Sequence, residues 1–495
     1  MKLFESKHSK SVISPHVEVN KEEPLPFISC YRWGAKPEVY NMGNRYNTRV
    51  VLMAGGRGER FWPRSRPDFP KQFLDLEGKG SLLRTTFDRI TKLIPATNIY
   101  VATLARYRDL TLRALPELSE DHLILEPVGR DTAPSLGLAA LWLHLEDPDT
   151  IMVALPADHM IDDEPQFLAT LEAAIAAAAS GPYLVTLGIS PTRPETGYGY
   201  IRLGELHDQF HGFSVFKAQR FVEKPSREVA EHYQRSGDYL WNAGMFVWQV
   251  GVLLEEIQLR MPELHHVLHS LGALGSRKAV AQALQDVFPT APRLSIDYGV
   301  MERSDRVLVV PSHFGWDDLG SWASVERISP SNNDGNIIRG NVLVHDAHGV
   351  IVDGVPNRLI GLVGVRDLIV VDAEDALLIC AKTHAQDVKK VAGQVDDRPA
   401  HLSTHETNIY QRAWGQEVIL GSRTRVLEVS AGQRVRFDGM DAATLYLQMG
   451  KGLLNSSQAS VEVSPGEIVS RAPGLDYEFL AVTNTVLVMV TAGRH

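Results

Sequence analysis

A chain of 495 residues is too long for one hydrophobic core, so two or three domains are expected. With 44% hydrophobic and 22% charged residues and a formal net charge of −10, the composition is that of an ordinary globular protein and argues against a nucleic-acid partner. Its two cysteines, Cys30 and Cys380, exclude a disulfide framework or a cysteine metal cluster, and no apolar run reaches the length of a membrane span or a signal-peptide core. A cytoplasmic protein with no membrane partner is the expectation.

Residues 1–48 are polar, mixed in charge and interrupted by Pro15, Pro24, Pro26 and Pro37, which reads as a flexible extension. Two readings of it stay open: a regulatory segment, or a reading frame begun upstream of Met42. The apolar run Val50-Val51-Leu52-Met53 then enters Ala54-Gly55-Gly56-Arg57-Gly58-Glu59-Arg60, followed by Trp62-Pro63-Arg64-Ser65-Arg66 and Pro70-Lys71-Gln72-Phe73. A strand feeding a glycine turn beside clustered cations is a place for a polyphosphate, because exposed backbone N–H groups and positive charge converge there. The string lacks the Gly-Lys-Ser/Thr ending of a P-loop and the dinucleotide glycine spacing.

Beyond it strands and helices alternate. A helix is expected over Ser81–Leu93, strands at Asn98–Thr103 and His122–Leu125, a helix over Thr132–His144, a strand at Ile151–Leu155, a helix over Gln166–Ala179 and a strand at Tyr183–Gly188. This alternation implies a mainly parallel sheet covered by helices, with ligands beyond the carboxyl ends of its strands. Glu126-Pro127-Val128-Gly129-Arg130-Asp131-Thr132 opens one helix, where Asp131 or Thr132 serves as a cap. Asp158, in Leu155-Pro156-Ala157-Asp158-His159, and the pair Asp317-Asp318 each follow an apolar strand, and carboxylates so placed suit a divalent cation. Thr196-Gly197-Tyr198-Gly199-Tyr200, Phe221-Val222-Glu223-Lys224-Pro225, Trp241-Asn242-Ala243-Gly244 and Ser295-Ile296-Asp297-Tyr298 supply polar groups at loops and strand ends.

Gly55-Gly56-x-Gly58-x-Arg60, Trp62-Pro63-x-Ser65-Arg66 and Pro70-Lys71-Gln72-Phe73, followed in order by the segments above, resemble the mannose-1-phosphate guanylyltransferases of the type II mannose-6-phosphate isomerase family. The resemblance runs from about Arg49 to about Val395 and continues weakly to the end. It implies a Rossmann-like α/β nucleotidyltransferase fold over residues 49–335, a short left-handed β-helix with a linker over 336–400, and an all-β cupin-like domain over 401–495. It implies GMP transfer from GTP to mannose 1-phosphate in GDP-mannose and polysaccharide biosynthesis, with Mg²⁺. Arg60 and Lys71 would be catalytic, and Ala54, Gly55, Gly56, Gly58, Arg130, Asp131 and Thr132 would bind the nucleotide. Gly197, Tyr198, Glu223, Lys224, Asn242 and Asp297 would bind the sugar phosphate, Glu302 being a secondary candidate. Asp158 and Asp318 would hold the metal, Asp317 being the neighbouring alternative. Asp131 stands where the family usually carries Asn. A pyrophosphorylase for another sugar or base, or a non-catalytic sugar-nucleotide sensor, stays open as an alternative, as does a homodimer.

The texture changes near Asn336. Short apolar runs recur about every ten residues, as in a stacked β-coil. The final block, from about Asn408, is all-β. No histidine lies between His405 and His495, and where the family has a histidine-rich metal segment this chain reads Arg436-Phe437-Asp438-Gly439-Met440-Asp441. Mannose-6-phosphate isomerase activity is therefore expected to be absent, leaving Asp438, Asp441, Glu462, Glu467, Asp476 and Glu478 as surface carboxylates.

Overall fold

The computed structural model describes residues 46–76, 78–396, 409–420, 424–437, 443–457, 459–471 and 476–491. The expected extension up to Arg45, most of the linker, and Asp438 and Asp441 lie outside them. The described residues form two compact units: those up to Asp372 with Leu378–Val388, and Ala373–Leu377 with those from Lys389 onward.

In the first unit the strands are β1 Thr48–Met53, β2 Ile99–Leu104, β3 Leu123–Glu126, β4 Ile151–Pro156, the short β5 Met160–Ile161, β6 Leu184–Ile189, β7 Tyr200–Phe210, β8 Phe213–Val222, β9 Tyr239–Gln249, β10 Val307–Ser312 and β11 Trp316–Asp317. Nine of them form one sheet in the order β3-β2-β1-β4-β9-β6-β10-β8-β7. Strands joined through helices pair in parallel: β3 with β2, β2 with β1, β1 with β4, and β6 with β10. β9 enters antiparallel between β4 and β6 and extends to pair with β7, which forms a hairpin with β8. Sequence periodicity reports each strand's burial but not the direction in which it threads the sheet, so this mixed arrangement appears only in three dimensions.

Alternation along β1 explains the two-sided core. Val50 and Leu52 face Val101, Val153 and Leu155, together with Phe87 of helix α1 (Leu82–Ile90). Val51 faces the other way, toward Met152 and Ala154 and Leu136 of the helix over Thr132–His144. Helix starts are capped as their sequences suggest: Ser81 accepts from Arg84 N, Asp163 from Gln166 N, and Ser226 from Val229 N.

After Asn336 the chain coils. Parallel ladders stack Ile337 on Ile351 on Ile369, and Asn341–His345 on Leu359–Val363. The apolar inner residues of this coil share one core with the segment that follows the glycine turn: Ile337, Ile351, Ile369 and Val371 pack in a cluster with Phe61, Leu74, Leu76 and Trp322. Arg64 Nε meets Asp353 Oδ2 at 2.6 Å, and Trp322 Nε1 donates to the Trp62 carbonyl at 3.0 Å.

The second unit is antiparallel throughout its described ladders, with one sheet of six strands and one of four around Leu427, Leu447, Phe479 and Leu487. Among the described residues no helix is long and apolar enough to cross a membrane.

Candidate active site

The glycine turn leaves β1 at Ala54, whose carbonyl accepts from Gln72 Nε2 at 2.7 Å and from Thr103 Oγ1 at 2.8 Å. Gly58 has φ +61°, and a Cβ there would lie 2.2 Å from Lys71 Cβ. That glycine lets the turn close on Lys71. Gly55 and Gly56 have open space where a Cβ would be. They line a cavity of about 540 Å³ with Arg57, Glu59, Leu104, Arg106, Pro127, Val128, Gly129, Asp131 and Arg293. Backbone glycines beside cations and an apolar wall make a site of nucleotide character.

Asp131 reaches this cavity with its backbone at φ 72°, ψ −178°, a region almost reserved for glycine, while its carboxylate caps Thr132 N at 2.8 Å. The other two members of the expected nucleotide set on this segment point elsewhere. Arg130 does not line the cavity; its Nη2 donates to the Pro289 carbonyl. The Thr132 hydroxyl accepts from Ile296 N at 2.9 Å, tying the start of the helix to the loop before Asp297. Arg106 and Arg293 line the cavity although the sequence reading did not single them out. Arg106 follows β2 directly, and a cation just beyond a parallel strand's carboxyl end was a signal that could have found it.

A second cluster forms around Lys71. Its ammonium lies 2.9 Å from Asp158 Oδ2 and donates to the Asp318 carbonyl at 2.7 Å, with the side chain only 7% exposed. β11 pairs with β5, which brings the segment carrying Asp317 and Asp318 back to the strand end carrying Asp158. Burial opposes ionisation of Asp158, but the Lys71 charge outweighs it and holds this carboxyl below its ordinary pKa. Burial lowers the His159 pKa, and its Nδ1 faces the Trp316 indole N–H at 3.1 Å. Asp317 is committed differently: Arg327 forks onto both its oxygens and Leu319 N donates to Oδ1. Asp318 accepts from the Tyr198 hydroxyl at 2.5 Å. Arg60 Nε is buried without a hydrogen-bond partner among the described residues.

Lys71 joins the Asp158 carboxylate to the Asp318 backbone carbonyl, and the two aspartates could hold a divalent cation completed by substrate. Among the described residues no three His, Cys, Asp or Glu side chains converge, which would be needed for an all-protein cage. Mg²⁺ takes one or two carboxylates plus substrate phosphates, so two carboxylates would suffice for it.

The expected sugar residues largely meet. Asn242 Nδ2 donates to Asp297 Oδ1 at 2.8 Å, Lys224 Nζ pairs with Glu223 Oε1 at 2.5 Å, and Glu223 N donates to Glu302 Oε1 at 3.1 Å. A Cβ on Gly199 would lie 2.4 Å from Glu223 Oε2, so this glycine makes room for the carboxylate. Burial, then the neighbouring Glu223 charge, raises the Asp297 pKa to about 7. Gly197 N donates to Glu195 Oε1 on the exposed loop. Tyr198 turns away from this group toward Asp318, because its ring packs edge-on against Trp241 and Trp316.

Comparison with known proteins shows the family. A family described as Nucleotidyl transferase matches residues 49–334, and one described as MannoseP isomerase/GMP-like beta-helix domain matches residues 340–395. The chain is 39% identical to a mannose-1-phosphate guanylyltransferase of Salmonella montevideo, over 77% of this chain and 81% of that protein. It is 37% identical to xanthan biosynthesis protein XanB of Xanthomonas campestris pv. campestris (strain B100), over 81% and 82% of the two chains. A crystal structure from Thermus thermophilus, named mannose-1-phosphate geranyltransferase, superposes with a TM-score of 0.63 at 36% identity, covering 71% of this chain and 99% of that one.

Proposed function

The chain belongs to the mannose-1-phosphate guanylyltransferase family of nucleotidyltransferases, and from that premise we propose that it transfers GMP from GTP to mannose 1-phosphate, giving GDP-mannose and pyrophosphate. The observation that carries this reading is the buried Lys71 ammonium, bridging Asp158 and the Asp318 carbonyl directly behind the glycine turn.

The sugar phosphate is already anionic at neutral pH, so one of its oxygens can attack the α-phosphorus without a general base. A P–O bond forms there, the bond to the β-phosphate oxygen breaks, and pyrophosphate leaves. What the protein supplies is alignment and neutralisation of charge. Gly55 and Gly56 offer backbone to the phosphates without side chains in the way. Lys71 and the unpartnered Arg60 Nε donate to the oxygens on which negative charge accumulates. Asp131 and the cavity arginines meet the base and ribose, while Glu223 and Asn242 accept from and donate to sugar hydroxyls and Lys224 meets the sugar phosphate. Asp158 and Asp318 would hold Mg²⁺, which would supply Lewis-acid neutralisation of phosphate charge.

We further read the second unit as lacking isomerase chemistry. Glu478 is engaged by Arg434 and Arg436, Glu467 caps Ser464 N, and Glu462 is exposed, so these described carboxylates serve surface or local roles. The product is an activated mannose suited to polysaccharide assembly, consistent with the relative named for xanthan biosynthesis. Pyrophosphate release, measured with four nucleoside triphosphates against several sugar 1-phosphates, tests the reaction. Greatest turnover with GTP and mannose 1-phosphate is expected. Greatest turnover with another pair would assign a different pyrophosphorylase, and no turnover with any pair would leave a binding protein.

A further inference from the structure

We propose that Tyr198 and Arg193 are positioning residues for the Asp318 carboxylate, coupling the sugar loop to the cation site; the inference rests on Asp318 being a metal ligand as read above. Asp318 Oδ1 accepts from the Tyr198 hydroxyl at 2.5 Å, which leaves Oδ2 as the oxygen to face a cation. A carboxylate on a short side chain with one oxygen fixed has its plane fixed, and hydrogen bonds of this kind behind a ligand typically govern metal affinity tenfold to a hundredfold.

The phenol is itself aimed. Arg193 Nη2 donates to the Tyr198 oxygen at 3.1 Å, so the hydroxyl accepts from Arg193 and gives its own proton to Asp318. Arg193 is anchored in turn: Nε donates to Glu195 Oε2 at 3.2 Å, and its guanidinium carbon lies 5.0 Å from the Trp241 ring centroid. The Tyr198 ring is wedged between Trp241 and Trp316, with centroids 5.2 and 5.0 Å away. An added Cβ at Gly320 would lie 3.0 Å from Asp318 Oδ2 and 3.3 Å from Oδ1. Gly320 therefore leaves the carboxylate room, and its φ lies outside the left-handed region, so alanine there is hindered by the carboxylate alone.

Tyr198 sits in the loop leading into β7, beside Gly197, which is read as contacting sugar phosphate. Its hydroxyl is committed to Asp318, so its contribution to turnover passes through that carboxylate and not through a bond to the sugar. Loss of the hydroxyl should weaken cation binding and lower kcat while leaving the KM for mannose 1-phosphate unchanged.

The test is a Mn²⁺ titration of the full chain with GDP-mannose present, following the electron paramagnetic resonance signal of free Mn²⁺ and using GDP-mannose alone as the blank. Tyr198→Phe and Arg193→Met should each weaken Mn²⁺ about tenfold or more, with Arg193→Lys recovering part of the loss. Gly320→Ala, which leaves Tyr198 and Arg193 in place, should weaken it as well. Steady-state rates of Tyr198→Phe should show the kcat loss without a KM change for mannose 1-phosphate. Wild-type Mn²⁺ affinity in Tyr198→Phe, with Asp318→Asn impaired, would overturn the positioning role and leave the metal assignment standing. A raised KM for mannose 1-phosphate with unaltered Mn²⁺ binding would make Tyr198 a sugar contact instead. Unchanged Mn²⁺ affinity in Asp318→Asn would remove the metal reading itself, and this inference with it.

Discussion

Gly58→Ala and Gly55→Ala separate what the glycine turn needs in order to fold from what it needs for its ligand. At Gly58 φ is +61°, and an added Cβ would lie 2.2 Å from Lys71 Cβ and 3.1 Å from the Lys71 backbone nitrogen and Cα. No rotamer change of Lys71 relieves this, because its Cβ moves only with its backbone. Left-handed φ costs an L-residue roughly 1–2 kcal/mol, and an overlap of this kind in a packed region typically adds about 1–3 kcal/mol. The sum, roughly 2–5 kcal/mol, should lower the urea midpoint of the first unit and also push Lys71 off Asp158. At Gly55 nothing lies within 4 Å of the added Cβ and φ is outside the left-handed region. Alanine there should leave stability within about 0.5 kcal/mol of wild type. It would nonetheless place a methyl group in the cavity where phosphates approach the backbone, and a rise of about tenfold in the KM for GTP is expected, equivalent to about 1.4 kcal/mol. Tryptophan fluorescence in urea gives the midpoint, and pyrophosphate release against GTP concentration gives the KM. A wild-type midpoint for Gly58→Ala, or a wild-type KM for Gly55→Ala, would refute this division of roles.

Asp158→Asn and Asp318→Asn should each lower kcat on the order of a hundredfold or more with the fold retained; rates near wild type at saturating Mg²⁺ would sink the metal assignment. Lys71→Ala should slow all nucleotides by a similar factor, whereas Asp131→Asn should change the ratio of GTP to ATP turnover; competition assays with both nucleotides distinguish the two. Asp297 has a folded pKa of about 7, raised from 3.8 chiefly by burial, so its contribution to stability is full below about pH 4 and is lost as pH rises toward 7. Asp297→Asn should therefore flatten the decline in stability between about pH 4 and pH 7, measured as urea midpoints, and an unchanged slope would count against the burial argument. Removing the chain from Asn408 onward should harm stability or assembly more than kcat, measured by thermal unfolding beside single-turnover rates.

Much of the site was legible because its chemistry sits at strand ends. The apolar run into Gly55 and Gly56 announced the cavity, and Asp158, Asp318 and Glu223 lie where strands finish, whereas Asn242 lies within β9. The directions of individual side chains were not legible. Arg130 and Tyr198 occupy motif positions, but packing turns one to the Pro289 carbonyl and the other to Asp318. Arg293 reaches the cavity from a loop far along the chain, and Arg193 acts through a hydroxyl; neither follows a local pattern. The antiparallel passage of β9 through the sheet was equally hidden, since a fully buried strand reads the same in either direction.

The shared core of Phe61, Leu74, Ile351 and Ile369, with the Arg64–Asp353 ion pair, has a bearing on how this enzyme could be divided. Every residue assigned to nucleotide, sugar or cation lies before residue 320, so a fragment ending there would carry the whole chemical inventory. It would also leave Phe61 facing water and Arg64 unpaired on the very segment that joins Gly58 to Lys71, and expose Leu74 just beyond it. A gene boundary drawn by ligand contacts would thus cut through the support of the catalytic loop. The coil is less an appendage than the loop's missing wall, and because it is made hundreds of residues later, the turn can reach its final shape only once distant chain has closed upon it.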